Sequence, residues 1–339
     1  MRRHDLNTNP QHKRPIKGFL HTAIALAITL LGLLAAPAAN AQTYPTKPVR
    51  MIVPFPPGGA TDIIARLLSQ KLHEIWGQPV VLDYKPGGGT VIGTDAVAKA
   101  APDGYTIGIV ISAHFINPSL LSNMPFDTVK DLSGVSTVAI SHIVLVATPS
   151  LEANTLAELI ALAKKNPGKL SYASPGTGTS PHLAVELLKT TAGIDIVHIP
   201  YKGASPAFAD VMSGRVSLQI DPLQSSMSNI KSGKVKAIAI TSPSRAAGFA
   251  EIPTVAETIP GFSVQSVAGI IVPSATPRDI VNRLSADINK SLQSPDLIER
   301  MGQMGMEPSG NTPEQFDALI RSEIDKWAKV VTVSGAKRD

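Results

Sequence analysis

The chain has 339 residues, no cysteine, and 31 Lys+Arg against 26 Asp+Glu, a formal net charge of +5. The missing cysteines exclude disulfides, thiolate catalysis and zinc–sulfur sites. The positive charge does not survive inspection by position: 5 of the 31 basic residues and 1 of the 26 acidic ones fall in residues 1–41, so the remaining 298 residues carry 26 positive and 25 negative charges, a net of +1. Bulk attraction to nucleic acid is thereby excluded, and no basic run interleaved with aromatics replaces it.

Residues 1–41 read as an export leader rather than as part of the fold. Arg2, Arg3, Lys13, Arg14 and Lys17 form a basic start, Phe19 to Leu34 is a mostly apolar uncharged run, and Ala39-Asn40-Ala41 fits an A-x-A cleavage site ahead of Gln42. The run is short for a membrane span, which needs about 20 apolar residues. The expected product is a soluble periplasmic protein.

From Val49 onward, β-branched runs alternate with amphipathic helical patterns, which predicts an α/β protein with mainly parallel strands. Val49–Phe55 is the first strand. Pro56-Pro57-Gly58-Gly59 leads into a helix over Asp62–Trp76, with Thr61 or Asp62 as its cap and Gly77 as its stop. A strand over Pro79–Tyr84, a glycine loop at Gly87–Gly89 with a helix running through Ala100, and a strand over Thr106–Ile111 follow. Leu132–Thr148 reads as one long strand or two short ones.

A second set opens at Thr155 and Glu158, a capping box. Its strand Leu170–Ala173 runs into Pro175-Gly176-Thr177-Gly178-Thr179-Ser180-Pro181, and a helix then reaches Gly193, with Pro181 in its first turn. Strands are expected over Ile194–Ile199, Val216–Ile220 and Val235–Thr241, with a helix over Pro206–Ser213. Phe262–Val272 is long enough to cross between two lobes. Helices near 277–293 and 313–333 close the chain. The pattern predicts two lobes whose chain crosses twice, with no tandem repeat.

The most informative feature is the repeated strand–glycine loop–helix device at Gly58-Gly59 and again at Gly176–Ser180. Each loop presents backbone N–H groups at the positive end of a helix, an arrangement suited to a carboxylate or phosphate. A tight turn alone would also use glycine. Pro181 stands where a dinucleotide fingerprint needs its third glycine. His182 stands where a nucleophile elbow needs glycine, so a Ser180/His182/Asp221 hydrolase has residue types but no elbow. His73, His114, His142, His182 and His198 have no metal spacing, and no cofactor motif is present. His114 and His182 are the better-placed histidines, at a strand end and a helix start. Lys202 reads as a surface charge. Asp221 ends a strand, where an open α/β sheet faces its crevice.

Several stretches together resemble the periplasmic receptors of the tripartite tricarboxylate transporter family, also called Bug proteins. They include Tyr44 to Arg50, Val53 to Asp62, Gly77 to Val80, Ala101 to Tyr105, Ile116-Asn117-Pro118, Tyr172-Ala173-Ser174, Gly178-Thr179-Ser180, His198 to Gly203, Ile252 to Val255 and Trp327-Ala328-Lys329. The resemblance covers essentially all of the chain after residue 41. It implies a type II periplasmic binding-protein fold, with residues 42–142 and 264–339 in lobe 1 and 143–263 in lobe 2. It also implies a monomeric, non-enzymatic receptor that captures a small carboxylate and hands it to membrane transporter subunits. In the family the two loops clasp a ligand carboxylate, partly through backbone groups and bridging waters. That carries over to Gly58, Gly59, Ala60, Thr61 and Asp62 on one side and to Gly176, Thr177, Gly178, Thr179 and Ser180 on the other. Ser112, His114, Asn117 and Asp221 become wall positions. Thr177 and Pro181 replace the family's usual Asn and Ser. Val267-Ala268 stands where Trp-Phe is common, which implies a wider cleft or a ligand lacking a stacked group. A cleft hydrolase or lyase, and a partner presenting ligand to a sensor-kinase ectodomain, are the alternative readings.

Cleavage after Ala41 is the expected outcome of export. N-terminal sequencing of the protein from a periplasmic extract should begin at Gln42, and an intact Met1 would contradict the leader.

Overall fold

The computed structural model describes residues 44–246 and 248–336. The expected leader, residues 1–41, lies outside the described residues. In chain order the elements are β1 (Val49–Val53), α1 (Ala60–Trp76), β2 (Val80–Tyr84), α2 (Val91–Ala98), β3 (Thr106–Val110), α3 (Ala113–Leu120), β4 (Leu132–Ser141) and β5 (Ile143–Ala147). They continue with α4 (Leu156–Lys165), β6 (Ser171–Ser174), α5 (Ser180–Ala192), β7 (Val197–Pro200), α6 (Ala204–Met212), β8 (Leu218–Pro222), α7 (Leu223–Lys231) and β9 (Lys236–Ile240). The last are α8 (Val255–Thr258), β10 (Ser266–Pro273), α9 (Arg278–Ser291), α10 (Pro295–Gln303), β11 (Met306–Pro308) and α11 (Pro313–Ser334).

Two mixed sheets result. The first has the order β11-β4-β10-β3-β1-β2 and the second β7-β6-β8-β5-β9. In the first, β1 lies parallel to both β2 and β3, while β10 runs antiparallel to β3 and β4. In the second, β6 is parallel to β7 and β8, and β5 is antiparallel to β8 and β9. The α/β architecture is the one the sequence predicts, but the expectation of mainly parallel strands is corrected: five of the nine strand pairings among the described residues are antiparallel, because the strands around both crossings, β4, β5, β9 and β10, run against their neighbours.

Leu132–Thr148 is two strands, and they belong to different sheets. The break is His142, between Ser141 in the first sheet and Ile143 in the second. Strand β5 is buried on both faces, as a central strand should be. Ile143, Leu145 and Ala147 pack into a core cluster that runs on to Tyr172, Leu183, Phe316 and Trp327. Val144 and Val146 face a second cluster with Val211, Leu223 and Ile240. The return crossing runs from Thr241 to Gln265, so only the start of the stretch Phe262–Val272 belongs to it, and the rest is β10 from Ser266.

Four helices escaped the sequence pattern, one of them the four-residue α8 behind a Thr254–Glu257 capping box. Helix α3 is short and contains Pro118, α7 has the polar start Gln224-Ser225-Ser226, and α10 is a short helix with Pro295 in its first turn. Helix α11 was legible from both ends. Thr312 and Gln315 form a reciprocal capping box, and Gly335 closes the helix in the left-handed conformation. The helix packs on α3 and β4 of one lobe and on α5 of the other, and Trp327 is buried within the shared core.

Phe316 on α11 reaches the first sheet through a slot made by two glycines. A Cβ at Gly134 would meet its ring at 2.7 Å, and one at Gly269 would overlap the ring. Overpacking of this kind costs about 1–3 kcal/mol. Gly269→Ala should therefore lower the free energy of chemical unfolding by about that amount, whereas an unchanged midpoint would show that the ring has room to move.

Candidate functional site

Both glycine loops are held by the same internal brace, built from different chemistry. In the first, Gly58 adopts φ +95° and donates its N–H to the Asp62 carboxylate at 2.8 Å. Asp62 also accepts from the Tyr84 hydroxyl at 2.6 Å and from Arg66 Nε at 3.0 Å. Burial pushes the Asp62 carboxyl up, but the hydrogen bonds from Tyr84, Gly58 and Arg66 outweigh it and leave it below the usual carboxylate range. In the second, Gly178 adopts φ +76° and donates its N–H to His182 Nδ1 at 3.1 Å. Each acceptor sits four residues on, one turn into its helix.

The second loop has further support. Thr179 Oγ1 donates to Gly176 O at 2.7 Å. Ser174 Oγ accepts the Gly176 N–H at 3.2 Å and pairs with His198 Nε2 at 2.7 Å. The His182 and His198 rings stack with centroids 4.1 Å apart, and Tyr172 stacks on His198 at 4.8 Å. The Tyr201–Gly203 segment braces the loop through backbone bonds to Ser174 O and Pro175 O, while Lys202 stays exposed.

These braces leave the helix starts free. Gly59 is the N-cap of α1 and Thr179 that of α5, with no side-chain cap on either. The first-turn N–H groups of a helix have no intrahelical partner. One cavity of about 480 Å³ touches both starts, at Ala60 on one side and Ser180 and Pro181 on the other. Its remaining wall comes from both crossings (Ser141, His142, Ile143 and Ser266), from Asp221 to Ser225 around the start of α7, and from Met304 to Met306. A more open depression of about 550 Å³ beside Asn282, Asn289 and Asn311 touches neither loop.

Of the residues singled out from sequence, Ala60, Ser180 and Asp221 line this cavity. Gly58, Gly59 and Thr61, and Gly176, Thr177, Gly178 and Thr179, form the loops leading to it. Asp62 is buried and spent on the first loop's brace. Ser112, His114 and Asn117 are buried and absent from the wall. Ser112 Oγ accepts the Val267 N–H at 3.3 Å, and Asn117 Nδ2 donates to Gly89 O at 2.9 Å. Buried His114 has no partner for Nε2. Val267 and Ala268 are buried in β10, and the cleft meets this strand at Ser266 instead. Sequence reasoning missed Ser141, His142, Gln224, Ser225 and Met304–Met306. A polar His142 inside a Val/Ile run was the one available signal.

The residue types of a serine hydrolase are not connected as one. His182 Nδ1 is occupied by the Gly178 N–H. Asp221 accepts from Gln219, Ser225 and Ser226. Among the described residues, no group of three or more His, Asp or Glu is placed to hold a metal.

Fold and cavity together are those of a two-lobed α/β solute-binding protein. The chain belongs to the tripartite tricarboxylate transporter family receptors, whose family model matches residues 64–335. Protein BugT of Bordetella pertussis is 40% identical over 321 residues, covering 94% of this chain and 98% of the relative. The solved structure of the periplasmic binding protein BugD is 34% identical with a TM-score of 0.68, covering 87% of this chain and 100% of its own. Rpa4515 of R. palustris, solved with adipate, is 33% identical with a TM-score of 0.71, covering 87% and 99%. The family and these neighbours are binding proteins rather than enzymes, and they place the chain in the periplasm.

Two histidines are held neutral by burial. Desolvation pushes both His114 and His182 down from 6.5 to about 4, with His198 adding to the effect at His182. A folded value below the unfolded one means that the unfolded chain takes the proton first. The stability is complete above pH 6.5 and is lost as pH falls towards about 4. Thermal unfolding followed across that window should show a falling midpoint, and His114→Leu should flatten the fall by roughly 5–10 °C. An identical slope in the variant would remove His114 from the explanation.

Proposed function

We propose that this protein captures a small carboxylate between its lobes and delivers it to membrane transporter subunits. The observation that carries the reading is a single cavity touched by the starts of both α1 and α5. Two sets of unpaired N–H groups, each at the positive end of a helix, offer a carboxylate charge-assisted hydrogen bonds from both lobes. A ligand that bridges the lobes favours the closed state over the open one and needs only a few kcal/mol of differential contact to shift the population strongly.

The hinge would lie at the paired crossings. We divide the chain into residues 42–142 and 264–339 as lobe 1 and 143–263 as lobe 2. The crossings are tied to each other, since Thr241 N donates to Ile143 O at 3.0 Å and Ser242 Oγ lies 2.9 Å from His142 Nδ1. Hinge closure about this waist would also have to carry the packing of α11 on α5, which joins the two lobes. The relative with bound adipate supports the ligand class. The family's transporter role supports delivery.

Gly59 offers a clean test. Its φ is −86° and ψ 173°, a region open to any residue, and no atom lies within 4 Å of where a Cβ would stand. Gly59→Val should fold normally yet intrude on the ligand's approach to α1. A carboxylate found by thermal-shift screening of the refolded protein should bind the variant about tenfold more weakly or worse by calorimetry, the loss expected for one charge-assisted bond. X-ray scattering should show ligand-driven compaction of the parent at concentrations where the variant stays open. Equal affinity in both would remove the α1 start from the clamp.

A further inference from the structure

Asp221 is a buried carboxylate on the wall of a cleft read above as a carboxylate site. Gln219 Nε2 donates to its Oδ1 at 3.2 Å, and the hydroxyls of Ser225 and Ser226 donate to its Oδ2 at 3.1 and 2.9 Å. All three donors are neutral. A carboxylate has about four lone-pair positions, so these bonds leave Oδ1 one acceptor site in hand. Among the described residues, no Lys or Arg lines the cavity. His142, its other ionisable side chain, is engaged elsewhere. Its Nδ1 lies 2.9 Å from Ser242 Oγ, and its Nε2 lies 2.9 Å from Glu307 Oε1, out of line for a hydrogen bond.

An anion buried without a counter-charge is costly. Burial pushes the Asp221 carboxyl up, against the three hydrogen bonds that pull it down. The side chain therefore gains most from a ligand group that donates to it. A second ligand carboxylate at the same wall would set two anions together with no cation between them. Ile143, Pro181, Pro222, Met304 and Met306 give the wall an apolar part that suits a carbon skeleton, beside the polar Ser141, Gln224 and Ser266.

We infer that the ligand is a small carboxylate that also carries a hydrogen-bond donor, an ammonium or a hydroxyl, and that Asp221 selects it by accepting from that donor. This rests on the carboxylate-receptor reading, in which the helix starts hold the ligand's carboxylate and Asp221 reads a second group.

The test compares matched triplets that differ only in bearing an ammonium, a hydroxyl or a hydrogen. The probes are alanine, lactate and propionate; aspartate, malate and succinate; glutamate, 2-hydroxyglutarate and glutarate; and phenylglycine, mandelate and phenylacetate. Calorimetry on refolded protein should show, in any triplet that binds, a donor-bearing member at least about tenfold tighter than the plain acid. The ammonium ranking first identifies an amino acid, and the hydroxyl ranking first a hydroxy acid; either supports the inference. Asp221→Asn keeps the shape and should bring the ratio close to one, by weakening the donor-bearing members while the plain acid holds or improves. A merely structural role would weaken every member alike and leave the ratio intact. A plain acid binding the parent as tightly as its donor-bearing partners overturns the inference while the receptor reading stands. Silence across all four triplets overturns both.

Discussion

The structure depends on the chain passing between its two sheets twice at one place. The outward passage is a single residue, His142, because β4 and β5 are otherwise continuous. The return passage is longer but begins in direct contact with the first. Thr241 is fully buried, donates its N–H to Ile143 O, and closes onto Val264 through its hydroxyl at 2.6 Å. Ser141 and Ser266 then lie opposite each other where β4 and β10 pair. A waist this narrow fixes how the ends of two sheets face each other, and hence where α1 and α5 can point. The cavity is a consequence of that constraint, since both crossings form part of its wall.

Holding a flexible glycine loop steady without blocking its donors is the second problem the fold solves. A glycine at positive φ reduces steric cost but adds freedom. Each loop spends one N–H on a brace from its own helix, Gly58 on Asp62 and Gly178 on His182. That N–H is bound within the loop's own helix start. The donors left are those of the helix's first turn, whose residues border the cavity, and in α5 Pro181 contributes none. An acid and an imidazole do the same work because both are acceptors, and His182 can accept at Nδ1 only while that nitrogen is unprotonated. Burial, which pushes its pKa down, keeps it so. The stack with His198 and Tyr172 is the packing that supplies that burial.

The two-lobed fold and the two loops were legible in the sequence because periodicity and glycine–proline punctuation are local signals. Gly77, Gly193 and the Thr312–Gln315 box marked helix ends that the structure places within a residue or two. The cleft wall was less legible. Ser141, His142 and Ser266 are brought together by sheet pairing across more than a hundred residues, and nothing in their immediate neighbours announces it. Met304 to Met306 reaches the cleft from a turn before an edge strand. Ser112, His114 and Asn117 were expected at the wall from the family resemblance. Their side chains instead turn inward, Ser112 to β10 and Asn117 to the Gly89 turn. Which way a short helix such as α3 rotates its polar residues is a packing outcome, and its sequence lacks a strong enough apolar face to announce it.

The electrostatics of the cleft separate two tasks that a single arginine would otherwise merge. Helix starts supply positive potential through fixed backbone dipoles, with no long side chain to order and no counter-ion to desolvate when the cleft is empty. A backbone cradle also reads carboxylates generically, because nothing in it depends on the ligand's far end. Selectivity must then come from side chains opposite the cradle, and these can change without disturbing the loops. Asp221 occupies such a place, held by Gln219, Ser225 and Ser226 rather than by either loop. On the proposed reading, one fold can serve many small acids by this division, with the carboxylate held by main chain and the rest of the molecule judged by a few wall residues.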